Sequence, residues 1–435
     1  MSLSTRLPLT SSSSLQFNKQ WLDALFSENH PVYLGFSGGI DSHVLLHALV
    51  QPLSESQKAA LTAIHVHHGL SDHADDWLHH CEQVCQTLGV RFVSQRVTLE
   101  SQTSIEEAAR NARYQAFQDI MAGQGSLLLA HHAGDQAETV LFRLLRGTGG
   151  KGLSGIPYQR VLAGSEARLI RPFLGVDKKV LQDYAQQNCL HWVEDESNSD
   201  ERFTRNFLRR QVMPVLKSRF AHMEQSIGST AQRLATDYAM LSRFAHQQLD
   251  IWCDASGGLP LRCIADKPRE ERLFWLRHFL SRQHVSFPHA QLESVDGMFF
   301  SAKDKQPTFK WLNGRLMRHL DVLYLLPPDL PVVVGELPNN TVLQRSFDEI
   351  QVQGTGRCQL IARPQGISLL MPNGHSRKLK KWLNDWQIPS WWRDHLPYIC
   401  EEGQLVAIGD IWCHPAWPGK VSWQRKPGLP FFVNS

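Results

Sequence analysis

The segment Ser37-Gly38-Gly39-Ile40-Asp41-Ser42 decides the fold prediction, because it joins an apolar strand to a helix. Residues 31–36 (PVYLGF) are typical of a buried strand, and residues 41–49 carry apolar side chains at helical spacing. Two glycines let backbone amides approach a ligand closely, and the N-terminus of a helix attracts negative charge. The segment therefore predicts a loop that holds a phosphate chain.

Strand and helix continue to alternate as far as residue 146. Further strands are predicted at 61–67, 90–97 and 126–130, and further helices at 72–88, 104–121 and 136–146. Ser104 and Glu107 have the spacing of a capping box. Repeated strand–helix units favour a parallel sheet with helices on both faces, which binds ligands at the carboxyl ends of its strands. We expect an α/β nucleotide-binding domain.

The whole chain of 435 residues is too long for one core, so we expect three domains. The parallel-sheet domain is predicted at 1–220, and a helical linker and middle domain at 221–330. A small α+β domain, basic and rich in tryptophan, is predicted at 345–435, beyond the Pro-rich boundary at 326–340.

Composition excludes several classes of protein. Lys and Arg number 45 against 42 Asp and Glu, so the net charge of +3 excludes a wholly basic nucleic-acid coat. The eight cysteines include no CxxC pair, which argues against a zinc ribbon or a cysteine-ligated cluster and indicates reduced thiols in a cytosolic protein. No secretory signal and no spanning apolar run is found, so we expect no membrane insertion.

Asp41 points to a metal. Its carboxylate would repel a phosphate chain unless the two shared Mg²⁺, so the segment predicts a magnesium–nucleotide site that includes the hydroxyls of Ser37 and Ser42. The alternative is a Gly-rich turn in which Asp41 and Ser42 only cap the helix. Neither a Walker A loop nor a dinucleotide fingerprint fits, because Lys151 lacks the flanking residues and 147–152 follows a helix.

Further segments narrow the identification: 65–70 (HVHHGL), 106–114 (EEAARNARY), 130–139 (AHHAGDQAET), 144–149 (LLRGTG), 192–198 (WVEDESN) and Arg205-Asn206. Together they resemble the tRNA(Ile)-lysidine synthetase family of PP-loop ATP pyrophosphatases. The motifs cover about residues 31–210, and the rest of the chain is similar to the longer bacterial form.

This resemblance implies a reaction, with ATP and Mg²⁺ as cofactors. ATP adenylates the C2 carbonyl oxygen of the wobble cytidine in an isoleucine tRNA with a CAU anticodon. The ε-amine of free lysine then displaces AMP, and the resulting lysidine changes decoding from AUG to AUA. The resemblance also implies that the N-terminal domain reads the anticodon loop and that the C-terminal region grips the acceptor arm.

Four residues are candidates for the chemistry: Asp41, Asp135, Glu138 and Arg205. Asp135 and Glu138 lie three apart at the start of a helix and so share one face. One could hold Mg²⁺, with Asp41, while the other binds or deprotonates the lysine amine; Asp135 is the predicted metal ligand. The alternative is that both only complement the helix dipole. The family usually has aspartate at the position of Gly134, so one carboxylate is missing.

Histidines and arginines supply the predicted contacts of the N-terminal domain. His67 and His68 end a strand at the ligand edge, where they could contact the adenine or ribose or simply be packed or solvated. Arg110 and Arg113 could hold ATP phosphates or RNA, or pair with Glu106 and Glu107 on the surface.

Two basic stretches predict contacts with tRNA. Residues 202–220 contain six basic and no acidic residues, so Arg209 is a predicted tRNA contact and Arg205 a predicted tRNA or active-site contact, with a solvated basic face as the alternative. Near the C-terminus, Lys378, Lys380 and Lys381 are predicted to contact tRNA, whereas most of the seven tryptophans from Trp382 to Trp423 are expected in a core.

Two other functions remain open. One is another PP-loop enzyme that acts on tRNA, such as a thiolating enzyme, although the chain lacks the paired cysteines of a cluster-dependent thiolase. The other is a non-catalytic tRNA-binding protein with a degenerate nucleotide loop. The intact segment 37–42 argues against it, whereas Gly134 favours it.

Overall fold

The computed structural model of the protein describes residues 8–10, 15–27, 30–67, 69, 73–98, 105–162, 164–194, 204–254, 257–300, 307–326, 328, 332–354 and 356–425. The chain divides into two compact units, Met1–Met240 and Leu241–Ser435. All eight cysteines are free thiols. In the described part of the chain, no helix has the length and apolar character needed to span a membrane.

The first unit contains a six-stranded sheet in the order β3–β2–β1–β4–β6–β5. Its strands are β1 (Val32–Gly35), β2 (Leu61–His67), β3 (Arg91–Arg96), β4 (Ser126–Leu128), β5 (Gln159–Val161) and β6 (Arg168–Ile170). All neighbours are parallel except β5, which runs antiparallel to β6. The chain leaves β1 towards β2 on one side, and β4 lies on the other. The carboxyl ends of β1 and β4 therefore form the switch point where such sheets bind ligands.

Helices connect these strands and continue beyond them: α1 (Lys19–Leu25), α2 (Ile40–Val50), α3 (Glu55–Ala59), α4 (Ala74–Leu88), α5 (Ile105–Met121), α6 (Ala133–Leu145), α7 (Gly150–Leu153), α8 (Lys178–Gln187), α9 (Thr204–Phe207), α10 (Met213–Arg219) and α11 (Met223–Trp252). A π-helical turn, Leu208–Val212, joins α9 to α10.

Both faces of the sheet are covered. Leu34 and Leu128 pack into one apolar cluster with Leu45 of α2, whereas Leu127 points into a second cluster with Phe117 of α5. Successive strand residues thus serve opposite faces. The predicted α/β fold is confirmed. Its last two strands were not predicted, because each has only three residues and includes an arginine, whereas β4 lies in the longer apolar run 126–130. Ser104 of the predicted capping box lies outside the described residues.

The first part of the second unit is not purely helical. Beside two helices it forms an antiparallel sheet in the order β7–β10–β9–β8. Its elements are β7 (Leu259–Pro260), α12 (Arg269–Ser281), α13 (His289–Phe300), β8 (Thr308–Trp311), β9 (Gly314–His319) and β10 (Val322–Leu326). The prediction of a helical middle domain is therefore incomplete. Its missed signal is Asn313-Gly314, a hairpin sequence at the turn where Trp311 pairs with Gly314.

The C-terminal part is a small α+β structure. Two larger antiparallel sheets, in the orders β11–β14–β17–β18–β19 and β12–β13–β20, accompany a hairpin, β15–β16, and one helix. Its elements are β11 (Gly335–Leu337), β12 (Val342–Gln344), β13 (Asp348–Gln353), β14 (Cys358–Ile361), β15 (Ser368–Leu370), β16 (Ser376–Lys378), α14 (Leu379–Asp385), β17 (Tyr398–Glu401), β18 (Gln404–Ile408), β19 (Trp412–Cys413) and β20 (Lys420–Arg425).

Tryptophans fill the core of this part, as predicted. Four of the seven are buried, and the other three pack against the same cluster from partly exposed positions: Trp382, Trp392, Trp412 and Trp423, then Trp386, Trp391 and Trp417. This apolar cluster is separate from the one built on α12 and α13. The change of core falls between residues 326 and 337, within the predicted boundary, although the division into three domains stays a prediction.

Candidate active site

The Ser37–Ser42 loop connects β1 to α2 at the switch point of the sheet. Gly38 has φ +83°, and a Cβ there would lie 2.9 Å from Cys81 Sγ and 3.0 Å from Val193 Cγ2. Both the backbone conformation and the close packing therefore require glycine at this position. A backbone hydrogen bond also holds the loop in place, because Val193 N donates to Gly38 O at 3.0 Å.

No side chain caps the N-terminus of α2. Gly39 is the N-cap residue, and Ser42 Oγ accepts from Ser37 N at 3.3 Å and donates to Gly39 O at 3.0 Å. Asp41 turns away towards another helix. The alternative in which Asp41 and Ser42 are only helix caps is thus wrong. The first amides of α2 remain available to an anion, the arrangement found at phosphate sites.

Asp41 lies between two cationic or polar partners. Its Oδ1 accepts from Lys178 Nζ at 2.5 Å, and its Oδ2 is 3.8 Å from His132 Nε2. Lys178 opens α8 and was not predicted, because 137 residues separate it from Asp41. It brings a positive charge to the edge of the phosphate loop.

His132 connects the loop to the predicted carboxylates. Its Nδ1 accepts from Gly134 N at 3.0 Å, so a neutral ring carries its proton on Nε2. That Nε2 is 3.6 Å from Asp135 Oδ2 as well as close to Asp41 Oδ2. In addition, His132 N donates to Asp135 Oδ2 at 3.0 Å. The ring therefore stands between both predicted metal ligands.

Gly134 makes room for this ring. A Cβ at position 134 would lie 2.8 Å from His132 Cε1 and 3.8 Å from Oε1 of Glu224, a residue of α11. Glu224 Oε1 pairs with Lys217 Nζ at 3.3 Å, while its buried Oε2 has no hydrogen-bond partner among the described residues. A carboxylate from a different helix thus lies beside the position where the family usually has aspartate.

Asp135 and Glu138 face the two predicted arginines. Arg209 donates from Nε to Glu138 Oε1 at 2.7 Å and from Nη2 to Asp135 Oδ1 at 3.0 Å. Arg205 lies farther off, with Nε 3.5 Å from Glu138 Oε2 and Nη2 3.7 Å from Asp135 Oδ1. The four residues form one cluster, here called the carboxylate–arginine cluster. A merely solvated basic face at Arg205 and Arg209 is thereby excluded.

Electrostatics keep Asp135 charged. Burial raises the pKa of its carboxyl group, but His132, a backbone hydrogen bond from His132 and Arg209 lower the pKa to about 2. Burial lowers the pKa of His131 to about 3, so its imidazole is neutral at physiological pH. A carboxylate of this kind suits cation binding better than proton uptake.

The predicted histidines at the end of β2 behave differently. His67 is buried, with Nε2 3.2 Å from Asp75 Oδ1 but without the alignment of a hydrogen bond, and it is not part of the cluster. His68 lies outside the described residues. The neighbouring His65 belongs to the segment 65–70 but was given no contact of its own. It supports the loop, because its Nδ1 is 2.9 Å from Phe36 O.

The other predicted contacts are exposed side chains. Arg110 and Arg113 are exposed on α5, and the guanidinium of Arg110 lies 5.5 Å from the centre of the Tyr114 ring. Two alternative partners were proposed for them. Glu107 is exposed on the same helix, and the side chain of Glu106 lies outside the described residues. In the second unit, the three lysines at the start of α14 are all exposed: Lys378, Lys380 and Lys381.

The donor set fits Mg²⁺ bound together with phosphates. Among the described residues no group of three or more histidine, cysteine or carboxylate side chains could hold a metal alone. Mg²⁺, however, is commonly held by one or two carboxylates plus substrate phosphates. Asp41 and Asp135 each place one oxygen within 3.8 Å of His132 Nε2, while the other oxygen is paired with a cation.

Comparisons with known proteins agree with this geometry. The PP-loop domain model matches residues 10–216, and the TilS substrate C-terminal domain model matches residues 358–425. The tRNA(Ile)-lysidine synthase of Pseudomonas syringae pv. tomato is 37% identical over 87% of this chain and 88% of its own. Those of Coxiella burnetii and Serratia proteamaculans are each 34% identical, over 88% and 94% of this chain and 89% and 99% of theirs. The chain therefore belongs to the tRNA(Ile)-lysidine synthase family.

Proposed function

We propose that the protein is an ATP-dependent ligase that attaches free lysine to C2 of the wobble cytidine in an isoleucine tRNA with a CAU anticodon. The C2 carbonyl oxygen attacks the α-phosphorus of ATP, and pyrophosphate leaves. The ε-amine of lysine then attacks C2, and the oxygen leaves with AMP. The modified base reads AUA instead of AUG. One observation carries the proposal: His132 Nε2 lies within 3.8 Å of both Asp41 and Asp135, so the phosphate loop adjoins the carboxylate–arginine cluster.

The loop and its surroundings would serve the first step. The uncapped amides of α2, with the hydroxyls of Ser37 and Ser42, would bind the phosphate chain, and Lys178 would place its charge beside them. Asp41 and Asp135 would hold Mg²⁺. When bound, this ion neutralises phosphate oxygens and so favours the departure of pyrophosphate.

The carboxylate–arginine cluster would serve the second step. Asp135, with its low pKa, stays ionised and suits the metal, which leaves Glu138 to bind or deprotonate the lysine amine. Glu138 is deeply buried and is held in one orientation by Arg209. Once substrate phosphates compete for Arg209 and Arg205, Glu138 would be released towards the amine.

The remaining predicted arginines and lysines would contact the RNA. Arg110 and Arg113 would touch the anticodon region, and Lys378, Lys380 and Lys381 would touch the acceptor arm. His67 and His68 remain candidates for the adenosine moiety. We also propose that the chain has three domains. We propose that it acts in the cytoplasm, where ATP, lysine and tRNA occur together.

Release of pyrophosphate tests it. Purified protein would receive Mg·ATP with tRNA, with lysine, with both and with neither. We expect release beyond background only with RNA present, and turnover beyond one equivalent only when lysine is added. Release indifferent to lysine would favour a thiolase-like PP-loop enzyme. No release, with tRNA still bound, would favour a non-catalytic binding protein.

A further inference from the structure

Several guanidinium groups converge on Tyr114, a half-buried residue of α5. Arg110 lies 5.5 Å and Arg160 lies 5.0 Å from the centre of its ring, and Arg171 interacts with its hydroxyl. Burial raises the pKa of the Tyr114 phenol, but Arg171, Arg110 and Arg160 lower it overall. The charges that act most strongly on this phenol are therefore three arginines.

Arg171 is the buried member of the group. It is 2% exposed, and its guanidinium donates from Nε to His131 Nδ1 at 3.2 Å and from Nη1 to Pro157 O at 2.6 Å. Burial, and the nearby Arg160 and Arg110, lower its pKa to about 10, with Tyr114 acting in the opposite direction. Its two hydrogen-bond acceptors, the neutral His131 ring and the Pro157 carbonyl oxygen, carry no charge. A buried cation of this kind is costly unless an anion approaches it.

The position of this group connects it to the active site. Arg171 follows β6 and His131 follows β4, so both lie at the carboxyl edge of the sheet, where ligands bind. His131 is directly followed by His132, which faces Asp41 and Asp135. Arg110 and Arg160, by contrast, are exposed and open to solvent.

We propose that Tyr114, Arg110, Arg160 and Arg171 form an anion site for a phosphodiester group of the RNA, next to the nucleotide that is modified. Arg110 and Arg160 contact the phosphate, while Tyr114 and Arg171 hold them in place and extend the positive field inward. Guanidinium groups suit this role because two donors can meet two phosphate oxygens. The ATP phosphates have their own loop at Ser37–Ser42, whose Asp41 lies 3.8 Å from His132 Nε2. This inference rests on the proposed function for its choice of RNA.

Arg160→Gln is the test variant, and Arg168→Gln is its matched control. Both side chains are exposed, but Arg168 lies at the opposite end of β6, near His30. The probe is an RNA stem-loop with the CAU anticodon, titrated at several salt concentrations without ATP. A second stem-loop carries uridine at the wobble position, and ATP affinity is measured for each protein.

Arg160→Gln is expected to weaken binding of both stem-loops equally, by roughly fivefold to tenfold at 0.1 M salt. The slope of log K against log salt should fall by about 0.7, the value for one phosphate contact with a single strand. Arg160→Lys should recover the slope, because it restores the charge. ATP affinity should be unchanged, and Arg168→Gln should resemble the wild type.

Two results would overturn the site: RNA affinity and slope unchanged by Arg160→Gln, or a loss confined to ATP affinity. The wild type is assayed in parallel for lysine transfer, so the two proposals can fail separately. Transfer by the wild type together with unaltered RNA binding by Arg160→Gln rejects only the anion site. Weakened RNA binding by the variant, without transfer by the wild type, supports the site and rejects the ligase.

Discussion

Arg209 holds Glu138 through two parallel hydrogen bonds, from Nε to Oε1 at 2.7 Å and from Nη2 to Oε2 at 2.8 Å. The Glu138 side chain is only 5% exposed, and Arg209 supplies the cationic partner that a buried carboxylate requires. The same Nη2 also reaches Asp135. One guanidinium therefore orders both carboxylates of the candidate active site.

Arg209→Lys should distinguish the contribution of the positive charge at position 209 from that of the two parallel hydrogen bonds. Lysine keeps the positive charge but cannot make two parallel bonds, so we expect the free energy of unfolding to fall by about 1 kcal/mol. Urea unfolding measures it, with Arg219→Lys, an exposed position on α10, as the control. Equal stability of the two variants would show that the paired geometry contributes nothing.

Asp135 should make the free energy of unfolding depend on pH in the acid range. Its folded pKa of about 2 lies below the ordinary 3.8, so the carboxylate stabilises the fold above pH 4 and loses this effect between pH 4 and 2. Asp135→Asn should therefore cost about 2 kcal/mol at pH 7. Its difference from the wild type should shrink as the pH falls through that window. A difference independent of pH would contradict the assigned charge.

Gly134→Ala should disturb catalysis through His132. The added Cβ would lie 2.8 Å from His132 Cε1, so the ring must leave its place between Asp41 and Asp135. We expect the rate of lysine transfer to fall by roughly tenfold to a hundredfold. Gly228→Ala, on α11 with open space around it, is the control and should retain full activity. Undiminished transfer by Gly134→Ala would exclude a role for the ring position.

Gly38→Ala should weaken ATP binding. Alanine at φ +83° is strained by about 1–2 kcal/mol, and its Cβ would also press on Cys81 and Val193 beneath the loop. We expect the Kd for ATP to rise at least about tenfold, since the loop must shift. Gly89→Ala provides the same kind of strain at φ +67° in open space, and it should lower stability without changing the Kd. Similar Kd values for both variants would show that the loop is not part of the ATP site.

Local sequence patterns were sufficient for the strand–loop–helix at Ser37–Ser42 and for the shared face of Asp135 and Glu138. Both depend on spacing within one element. The partner of Arg209 was not predictable in this way, because Glu138 lies 71 residues away. From sequence alone, a run of basic residues without acids predicts an RNA-binding surface. Only the fold shows that carboxylates of another helix pair with these residues.

Other parts of the site depend wholly on tertiary structure. Lys178 reaches Asp41 from α8, and Glu224 reaches Gly134 from α11. Neither residue belongs to a motif, so no local signal marks it. Arg171 is similar: a single arginine after a three-residue strand becomes conspicuous only when its burial is known.

Transfer of radiolabelled lysine tests the central claim most directly. The protein would be mixed with Mg·ATP, labelled lysine and an isoleucine tRNA with a CAU anticodon, and acid-insoluble label would be counted. A parallel reaction would use the same tRNA with uridine at the wobble position. We predict label on the first tRNA only. Absence of label from both, with a folded protein that still binds tRNA, would contradict the assignment of this chain as a lysidine-forming ligase.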